Sequence, residues 1–251
     1  MSSWSQRRKS LYSSIILIFL IGAVGIPTFL FFYKAPTCSD GIQNGGEQGV
    51  DCGGGCQKLC ANAFFVPSVA WTRLQNVAPG LYNVATYIIN PNPNASAHAV
   101  PYHVIVYDDQ GVQITEYTGV VNMPPHRNVL AFKGAVDMGK RIPAKASFEF
   151  TKTPEWKIQV DPLAAVTVGA KKYAEDGSGA SLSVPINNTS VNQIGTTDVY
   201  AVLYDQDGNA LGFSKTILDS IPAYGSTLAP FTWPVSFDGK VISIEVLPVA
   251  E

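Results

Sequence analysis

The chain begins with a long apolar stretch. Residues 11–33 form a run of 23 positions without a charged side chain. At a rise of about 1.5 Å per residue, a helix of this length spans a hydrocarbon core of about 30 Å. Pro27 lies inside the run, and membrane helices tolerate proline. The pattern predicts a transmembrane helix over residues 11–33.

After a glycine-rich segment, the rest of the chain has the pattern of an all-β protein. Short runs rich in Val, Ile, Tyr and Thr alternate with clusters of Pro, Gly, Asn and Asp, which is typical of strands and turns. The alternation of Ala85, Tyr87 and Ile89 predicts that these side chains face a core. Tyr102–Tyr107 and Val199–Tyr204 are apolar on both faces, as expected for central strands of a sandwich with aromatic residues on the outer face.

Two parts of the strand region repeat one another at an offset of 97, which falls to 96 further along. The matching segments and residues are Tyr87–Gly111 with Val184–Gly208, Asn90 with Asn187, Tyr107 with Tyr204, and Lys145–Phe150 with Val241–Val246. Each unit has about 90 residues, close to the length of a small immunoglobulin-like sandwich. The segment Thr153–Ala164, with two prolines, is the predicted junction between the copies.

The fold class predicted is therefore all-β, with two tandem immunoglobulin-like β-sandwich domains after an N-terminal transmembrane helix and a cysteine-rich stalk. The predicted boundaries are residues 1–10 for a cytoplasmic N-terminus, 11–33 for the membrane helix, 34–62 for the stalk, 63–156 for the first sandwich and 157–251 for the second.

In each copy a strand ending in Asn is followed by a polar loop, an apolar strand ending in Tyr-Asp, and a Gly. The residues are Asn90, Val106, Tyr107, Asp108 and Gly111 in the first copy, and Asn187, Leu203, Tyr204, Asp205 and Gly208 in the second. This pattern resembles the FxLYD type of immunoglobulin-like domain, which is found on bacterial membrane-anchored and lipid-anchored proteins. The resemblance implies a fold and a location, and no activity.

The basic residues Arg7, Arg8 and Lys9 precede the apolar stretch. A cleaved secretory signal is the alternative to a membrane anchor, but its apolar region is usually only about 7–15 residues and is followed by small residues. Here the run is longer and its end, Phe29 to Tyr33, is bulky. We therefore expect an uncleaved signal-anchor. The positive-inside rule predicts a cytoplasmic N-terminus and an extracytoplasmic bulk of the chain.

All four cysteines lie in the glycine-rich segment: Cys38, Cys52, Cys56 and Cys60. The segment has too few apolar side chains to fold by burial alone, so it needs covalent or metal cross-links. On an oxidising side of the membrane two disulfides are expected, with all three pairings open. A four-thiolate zinc site is the alternative. The segment also resembles a short cysteine-rich module of bacterial surface and secreted proteins, with "CSDGIQNGGEQGVDCGGGC" as the matching residues.

Hard oxygen ligands in the same segment suggest a calcium site formed by Asp40, Asn44, Glu47 and Asp51. Their spacing is not that of an EF-hand loop, and the alternative is that Asp and Asn shape turns. The segment Asp205–Asn209 also resembles part of a calcium loop. It lies between two strands and lacks an acidic twelfth ligand, so a hairpin turn is the better interpretation.

Little in the sequence points to catalysis. The motifs of nucleotide-binding loops, zinc proteases and serine hydrolases are missing, and His98, His103 and His126 are interpreted as ordinary strand or loop residues. A tryptophan in a β-sandwich usually fills the core. We expect this of Trp71, Trp156 and Trp233, with Trp156 packed between the two copies. Exposure of these rings for glycan or protein recognition is the alternative.

Charge excludes one class of partner. After residue 33 the chain carries 14 basic and 19 acidic residues, a net charge of −5, with no basic cluster. Nucleic acid is therefore not an expected partner. The sequence predicts a non-enzymatic, single-span protein of the cell membrane that presents two extracytoplasmic sandwiches to another envelope or surface protein. The alternatives are a surface carbohydrate-binding or adhesion module, and an envelope enzyme.

Overall fold

The computed structural model describes residues 4–33 and 35–250 of the chain. Parts of three predicted segments lie outside the described residues: residues 1–3 of the cytoplasmic segment, Lys34 at the start of the stalk, and Glu251 at the end of the last domain. The chain divides into two compact units, Met1–Cys56 and Gln57–Glu251.

The apolar stretch of the first unit is helical. It consists of α1 (Trp4–Leu20), a wider π-helical turn (Ile21–Gly25) and α2 (Ile26–Phe32). The wide turn precedes Pro27, which has no N–H and whose ring would collide with the carbonyl four residues earlier in a regular α-helix. Within the described ranges, Gln6–Phe32 is the one helix that is long and apolar enough to cross a membrane.

The second unit is built from antiparallel strands, as the sequence predicts. The first half contains β1 (Ser68–Ala78), β2 (Leu81–Ile89), β3 (Ala95–Tyr107), β4 (Gln113–Met123), β5 (Val129–Asp137), β6 (Lys145–Phe150) and β7 (Lys157–Ile158). The second half contains β8 (Val166–Val168), β9 (Lys172–Glu175), β10 (Ala180–Asn188), β11 (Thr197–Tyr204), β12 (Ala210–Leu218), β13 (Ser226–Trp233) and β14 (Ser243–Ala250).

These strands form four sheets. Sheet A has the order β4-β3-β6, with β7 added to β3, and sheet B has the order β1-β2-β5. Sheet C has the order β12-β11-β14, and sheet D has the order β13-β10-β8, with β9 added to β10. One core fills the space between sheets A and B, and another fills the space between sheets C and D. The first core cluster continues onto the outer face of sheet C, so sheets B and C are also packed against each other.

The strand registers of the two halves match. Three cross-strand pairs of the first half have an equivalent in the second. The pair Val106–Thr115 corresponds to Leu203–Gly212, Tyr107–Gln113 corresponds to Tyr204–Ala210, and Ile88–Val129 corresponds to Ile186–Thr227. The first two sets are related by an offset of 97 and the last by 98. Two copies of one unit are expected to share their strand order and register in this way.

The structure corrects one residue of the repeat. Asn90 donates from Nδ2 to two backbone carbonyls and accepts the amide of Asn92 on Oδ1. In the second half Asn188 makes this pattern, with Nδ2 near three carbonyls and Oδ1 bound to the amide of Ser190. The predicted match with Asn187 is wrong because the first half has one more residue between this position and the Tyr-Asp pair.

The predicted match of Lys145–Phe150 with Val241–Val246 is also displaced. Lys145 lies opposite Tyr107, and Ser243 lies opposite Tyr204, so the last strands are related by an offset of 98 rather than 96. Side-chain alternation alone does not distinguish these alignments, because a shift of two residues keeps every side chain on the same face.

The predicted core positions of β2 are correct at Ala85 and Tyr87, which are buried in the first core cluster, and wrong at Ile89. Val84 and Ile88 are fully buried in the first core, whereas Ile89 is 37% exposed and the hydroxyl of Tyr87 contacts Glu245 in the second half. All side chains from Val84 to Ile88 are buried, because sheet B is covered on both faces. Alternation between apolar and polar residues carries no signal in such a strand.

Candidate functional site

The cysteine-rich segment is cross-linked by disulfides. Cys38 is bonded to Cys56, with 5.7 Å between the Cα atoms. Cys52 and Cys60 are disulfide-bonded too, and no described cysteine is a free thiol. Because a structural zinc site needs thiolates, the four-thiolate alternative is not what the structure contains.

The four residues predicted as calcium ligands hold the turns between the cysteines. The Asp40 carboxylate accepts hydrogen bonds from two backbone amides. Both carboxylate oxygens of Asp51 accept from a single backbone amide, and Glu47 Oε2 accepts from two backbone amides. Asn44 Nδ2 donates to Asp40 at 3.0 Å. These contacts agree with the turn interpretation.

The structure does not bring the three carboxylates together as one ligand set. In the ranges with described coordinates, the one group of ligand atoms within 4.8 Å of one another is Cys38, Glu47 and Cys56. Two members of that group are the sulfurs of the disulfide, so they do not act as thiolate ligands. Calcium binding by Asp40, Asn44, Glu47 and Asp51 stays a prediction.

The three tryptophans pack inside the β unit. Trp156 is 1% exposed and lies 5.6 Å from the ring of Phe64 in the first core, so it does not lie between the copies. Trp233 is 2% exposed, in the second core. The tryptophan between the copies is Trp71, whose ring lies 6.1 Å from that of Phe213. None of these three indoles forms the exposed platform that a glycan-binding groove needs.

The histidines lie apart from one another. His103 lies on the outer face of sheet A between two carboxylates, with Nε2 3.2 Å from Glu116 and Nδ1 3.5 Å from Glu149. His98 contacts the side chain of Gln159, and His126 is exposed. Glu116 and Glu149 are largely exposed, so the His103 cluster is a solvated group of polar side chains on a sheet surface.

Aromatic and polar contacts connect sheets B and C in a region that we call the junction. Phe213 of β12 is 1% exposed and packs against Trp71 and, at 6.3 Å, against Phe132. Its backbone amide donates to Oε1 of Gln75 at 3.1 Å. Full burial of a phenylalanine side chain contributes about 1.5–3 kcal/mol, so this residue is the apolar centre of the contact.

Glu245 connects the two halves by hydrogen bonds. Tyr87 of the first half donates to Oε1 at 2.8 Å, and Tyr204 of the second half donates to Oε2 at 3.0 Å. Asn128 donates to the Tyr87 hydroxyl. Burial raises the pKa of both Tyr87 and Tyr204, and the neighbouring Glu245 carboxylate raises it further. Both phenols therefore stay protonated and remain donors.

A second polar contact connects the halves near the chain crossover. The guanidinium of Arg127 donates to the Asp161 carboxylate at 2.8 Å and to the carbonyl oxygen of Leu163 at 2.6 Å. Arg127 and Asp161 are both mostly buried. A partly buried pair with charge-assisted hydrogen bonds restricts the relative position of the two halves more than an exposed pair does.

Sequence reasoning missed the junction, although one signal was present. The outer-face positions of sheet A that hold Glu116 and Glu149 are filled in sheet C by Phe213 and Leu247. A comparison of the two copies position by position would have shown that only the second copy has an apolar outer face. An apolar face of this kind indicates a buried contact.

Comparisons with known proteins give no functional assignment. No family model matches the chain, and no curated protein matches it. Among solved structures, the chain is similar to a putative beta-galactosidase from Bacteroides fragilis, with 13% sequence identity and a TM-score of 0.20. The similarity covers 69% of this chain and 33% of that protein, so the chain spans about a third of its length.

Proposed function

We propose that this chain is a non-enzymatic membrane-anchored protein that holds two tandem immunoglobulin-like sandwiches outside the cell membrane. In this role it binds another envelope or surface protein, or forms a structural part of an envelope complex. The apolar helix Gln6–Phe32 supports the anchor, and the disulfides support an oxidising, extracytoplasmic location for the segment that follows it.

The observation that carries the proposal is the junction. Phe213, the Tyr87–Glu245–Tyr204 hydrogen bonds and the Arg127–Asp161 pair make one body of the two halves. Tandem domains joined only by a linker move independently by default. A fixed junction suits a protein that positions binding surfaces at a defined orientation rather than one that searches with a flexible chain.

Impermeant maleimide labelling of intact cells tests the location. The native cysteines of the described chain are disulfide-bonded, so an introduced cysteine is the reporter. Asp109→Cys, in the exposed turn after β3, is expected to react in intact cells. Gln6→Cys, at the start of the helix, is the matched control and is expected to react only after lysis. Labelling of Gln6→Cys in intact cells would refute the orientation.

Photo-crosslinking in living cells tests the binding role. A benzophenone side chain at Glu149 probes the free face of sheet A, and one at Leu228, which is 56% exposed, probes the free face of sheet D. Phe213 is the matched buried position. We expect a discrete adduct of higher mass from at least one exposed position and none from the buried one. Absence of adducts from both exposed faces would contradict the proposal.

A further inference from the structure

One end of the β unit exposes a group of apolar side chains. Phe65, Val66 and Val160 are 70%, 78% and 82% exposed, and Ile158 is 52% exposed. They lie where β1 begins, β2 ends and β3 begins. We call the surface formed by these residues the entry end, because the chain passes from the cysteine-rich segment into the β unit there.

Hydrogen bonds fix the backbone of the entry end. The Asn92 side chain accepts the amide of Phe65 and donates to the carbonyl oxygen of Phe65. The amide of Gln159, next to Val160, donates to the carbonyl oxygen of Asn94. The loop after β2 therefore holds both apolar segments, so the exposed side chains belong to one ordered surface. Ordered apolar side chains grouped on a surface indicate a contact with another apolar medium.

Two lysines lie at the entry end. Lys58 and Lys157 are directly opposite each other in an antiparallel bridge, and both are exposed. Like charges directly opposite in a sheet are destabilising, so packing within the β unit does not account for this pair. The other charged residues of the loops at this end balance in sign: Lys152, Glu155, Arg127 and Asp161. The lysine pair therefore gives the entry end a net positive charge, which suits an anionic surface.

The covalent chain keeps the entry end close to the membrane helix. Residues 33–38 span at most about 18 Å when fully extended. Cys38 is bonded to Cys56, with 5.7 Å between the Cα atoms, and Gln57 is the next residue. The shortest covalent path thus limits the distance from Tyr33 to Gln57 to about 30 Å. A bilayer that holds the helix is therefore within reach of the surface that begins a few residues after Gln57.

We propose that the entry end binds the lipid surface of the membrane that holds the helix. Phe65, Val66 and Val160 enter the interface, and Lys58 and Lys157 face anionic headgroups. Apolar side chains accompanied by lysines are typical of segments that lie on a bilayer, and each lysine near an anionic leaflet adds attraction. The inference rests on the proposed membrane anchor and adds a second contact, which orients the β unit with its opposite turns away from the bilayer.

Fluorescence quenching of the full chain in lipid nanodiscs tests this contact. No described cysteine is a free thiol, so an introduced cysteine is the site for an environment-sensitive fluorophore. The nanodiscs contain equal parts of phosphatidylcholine and phosphatidylglycerol, with lipids that are spin-labelled near the headgroup as quenchers. We expect quenching of the label at Val160→Cys. The matched label at Asp109→Cys, in the exposed turn at the opposite end of β3, should keep its fluorescence.

Substitutions at the entry end test the two kinds of contact. Phe65→Ser is expected to lower the ratio of bound to unbound β unit at least about tenfold, because burial of a phenylalanine side chain contributes at least this factor. The matched control is Ile142→Ser, since Ile142 is 78% exposed in a turn at the opposite end. Lys58→Gln should lower the ratio about fivefold, and Lys140→Gln, in the same opposite turn, should leave it unchanged.

A label at Ile18→Cys, within the helix, separates this inference from the proposed anchor. Its quenching by lipids that are spin-labelled at the chain ends shows that the helix is inserted. With that signal present, the membrane contact alone is overturned if the label at Val160→Cys is unquenched, if Asp109→Cys is quenched equally, or if Phe65→Ser and Lys58→Gln change nothing. An unquenched label at Ile18→Cys refutes the anchor, and the membrane contact with it.

Discussion

The outer faces of sheets A and C occupy the same place in the two halves of the chain but differ in chemistry. His103, Glu116 and Glu149 lie on the outer face of sheet A and meet solvent. The equivalent residues on sheet C are Tyr200, Phe213 and Leu247, which face the junction. The backbone pairing is the same in both sheets, so the side chains decide which face is covered.

This difference shows how a repeated fold gains a fixed arrangement. Two identical copies would offer either two polar faces, which do not pack, or two apolar faces, one of which would stay exposed. Here one copy keeps a charged face toward water and the other has an apolar face toward its neighbour. The Tyr87–Glu245–Tyr204 hydrogen bonds then set the orientation of the contact.

The largest effect is expected from Phe213→Glu. Phe213 is equivalent to Glu116 of the first copy, so this substitution gives the second copy the residue that the first copy has at this position. The change removes a buried ring and adds a charge without a partner. Loss of a buried phenylalanine alone costs about 3–5 kcal/mol, and we expect at least this loss in the free energy of unfolding. Urea denaturation of the purified protein, followed by tryptophan fluorescence, measures it.

The reverse substitution, Glu116→Phe, is the control for this exchange. Because Glu116 is 54% exposed, its replacement should change the free energy of unfolding by about 0.5 kcal/mol or less. Equal effects of the two substitutions would mean that the two faces do not differ in the way described.

Asn90→Ala and Asn188→Ala test the part that the two copies share. Each side chain donates to buried backbone carbonyls at the loop that follows β2 in the first copy and β10 in the second. We expect each substitution to lower the free energy of unfolding by about 2–3 kcal/mol, because buried carbonyls lose their donors. Asn187→Ala, at the neighbouring position, should cost less. An Asn187 effect as large as that of Asn188 would restore the alignment predicted from the sequence.

Glu245→Gln tests the hydrogen bonds of the junction at a smaller scale. A glutamine has one oxygen acceptor, so it accepts from only one of Tyr87 and Tyr204. We expect a loss of about 1–2 kcal/mol in thermal or urea unfolding. Ser147 is the equivalent residue on the exposed face of sheet A, and Ser147→Ala should have little effect. A Glu245→Gln variant as stable as the natural chain would refute the role of this carboxylate.

The smallest effect concerns pH and the two matching turns. Backbone amides of Val112 and Asn209 hold the pKa of Asp108 and of Asp205, respectively, below the usual carboxyl value. A lowered pKa in the folded state gives stability that is present above the unfolded value of about 3.9 and is lost as the pH falls through the folded value. Thermal unfolding between about pH 5 and pH 3 should therefore show a decline.

The decline should be smaller in Asp108→Asn and in Asp205→Asn, because the amide cannot be protonated in this range. Asp108 also pairs with Arg141. The pH-dependent decline in stability should therefore be reduced more in Asp108→Asn than in Asp205→Asn. Identical pH profiles for the natural chain and both variants would contradict the assignment.

Much of the fold was predictable from the sequence, and each error has a physical cause. The strand pattern predicted the β unit, and the Asp-rich turns were correct, because Asp108 and Asp205 each accept the amides two and four residues later. Gly111 and Gly208 follow with φ angles of +79° and +78°. Turn chemistry of this kind is local, so the sequence contains it in full.

Features that depend on contacts between the halves were not predictable from the pattern alone. Ala85, Tyr87 and Ile89 were assigned to a core from their alternation, and that pattern does not show which sheet covers each face of a strand that is buried on both. Trp156 was assigned between the copies, and Trp71 takes that place. The Asp198–Lys215 ion pair was not predictable from the sequence either, because the first half of the β unit covers these residues only in the folded structure.

A distance measurement between the two halves tests the fixed junction most directly. Spin labels at Asp109→Cys and Asp176→Cys, both in surface turns of different halves, report the distribution of distances by pulsed electron resonance. The natural junction predicts one narrow distribution, and Phe213→Glu predicts a broad one. A distribution that is already broad with Phe213 in place would contradict the claim that the junction holds the two sandwiches in one arrangement.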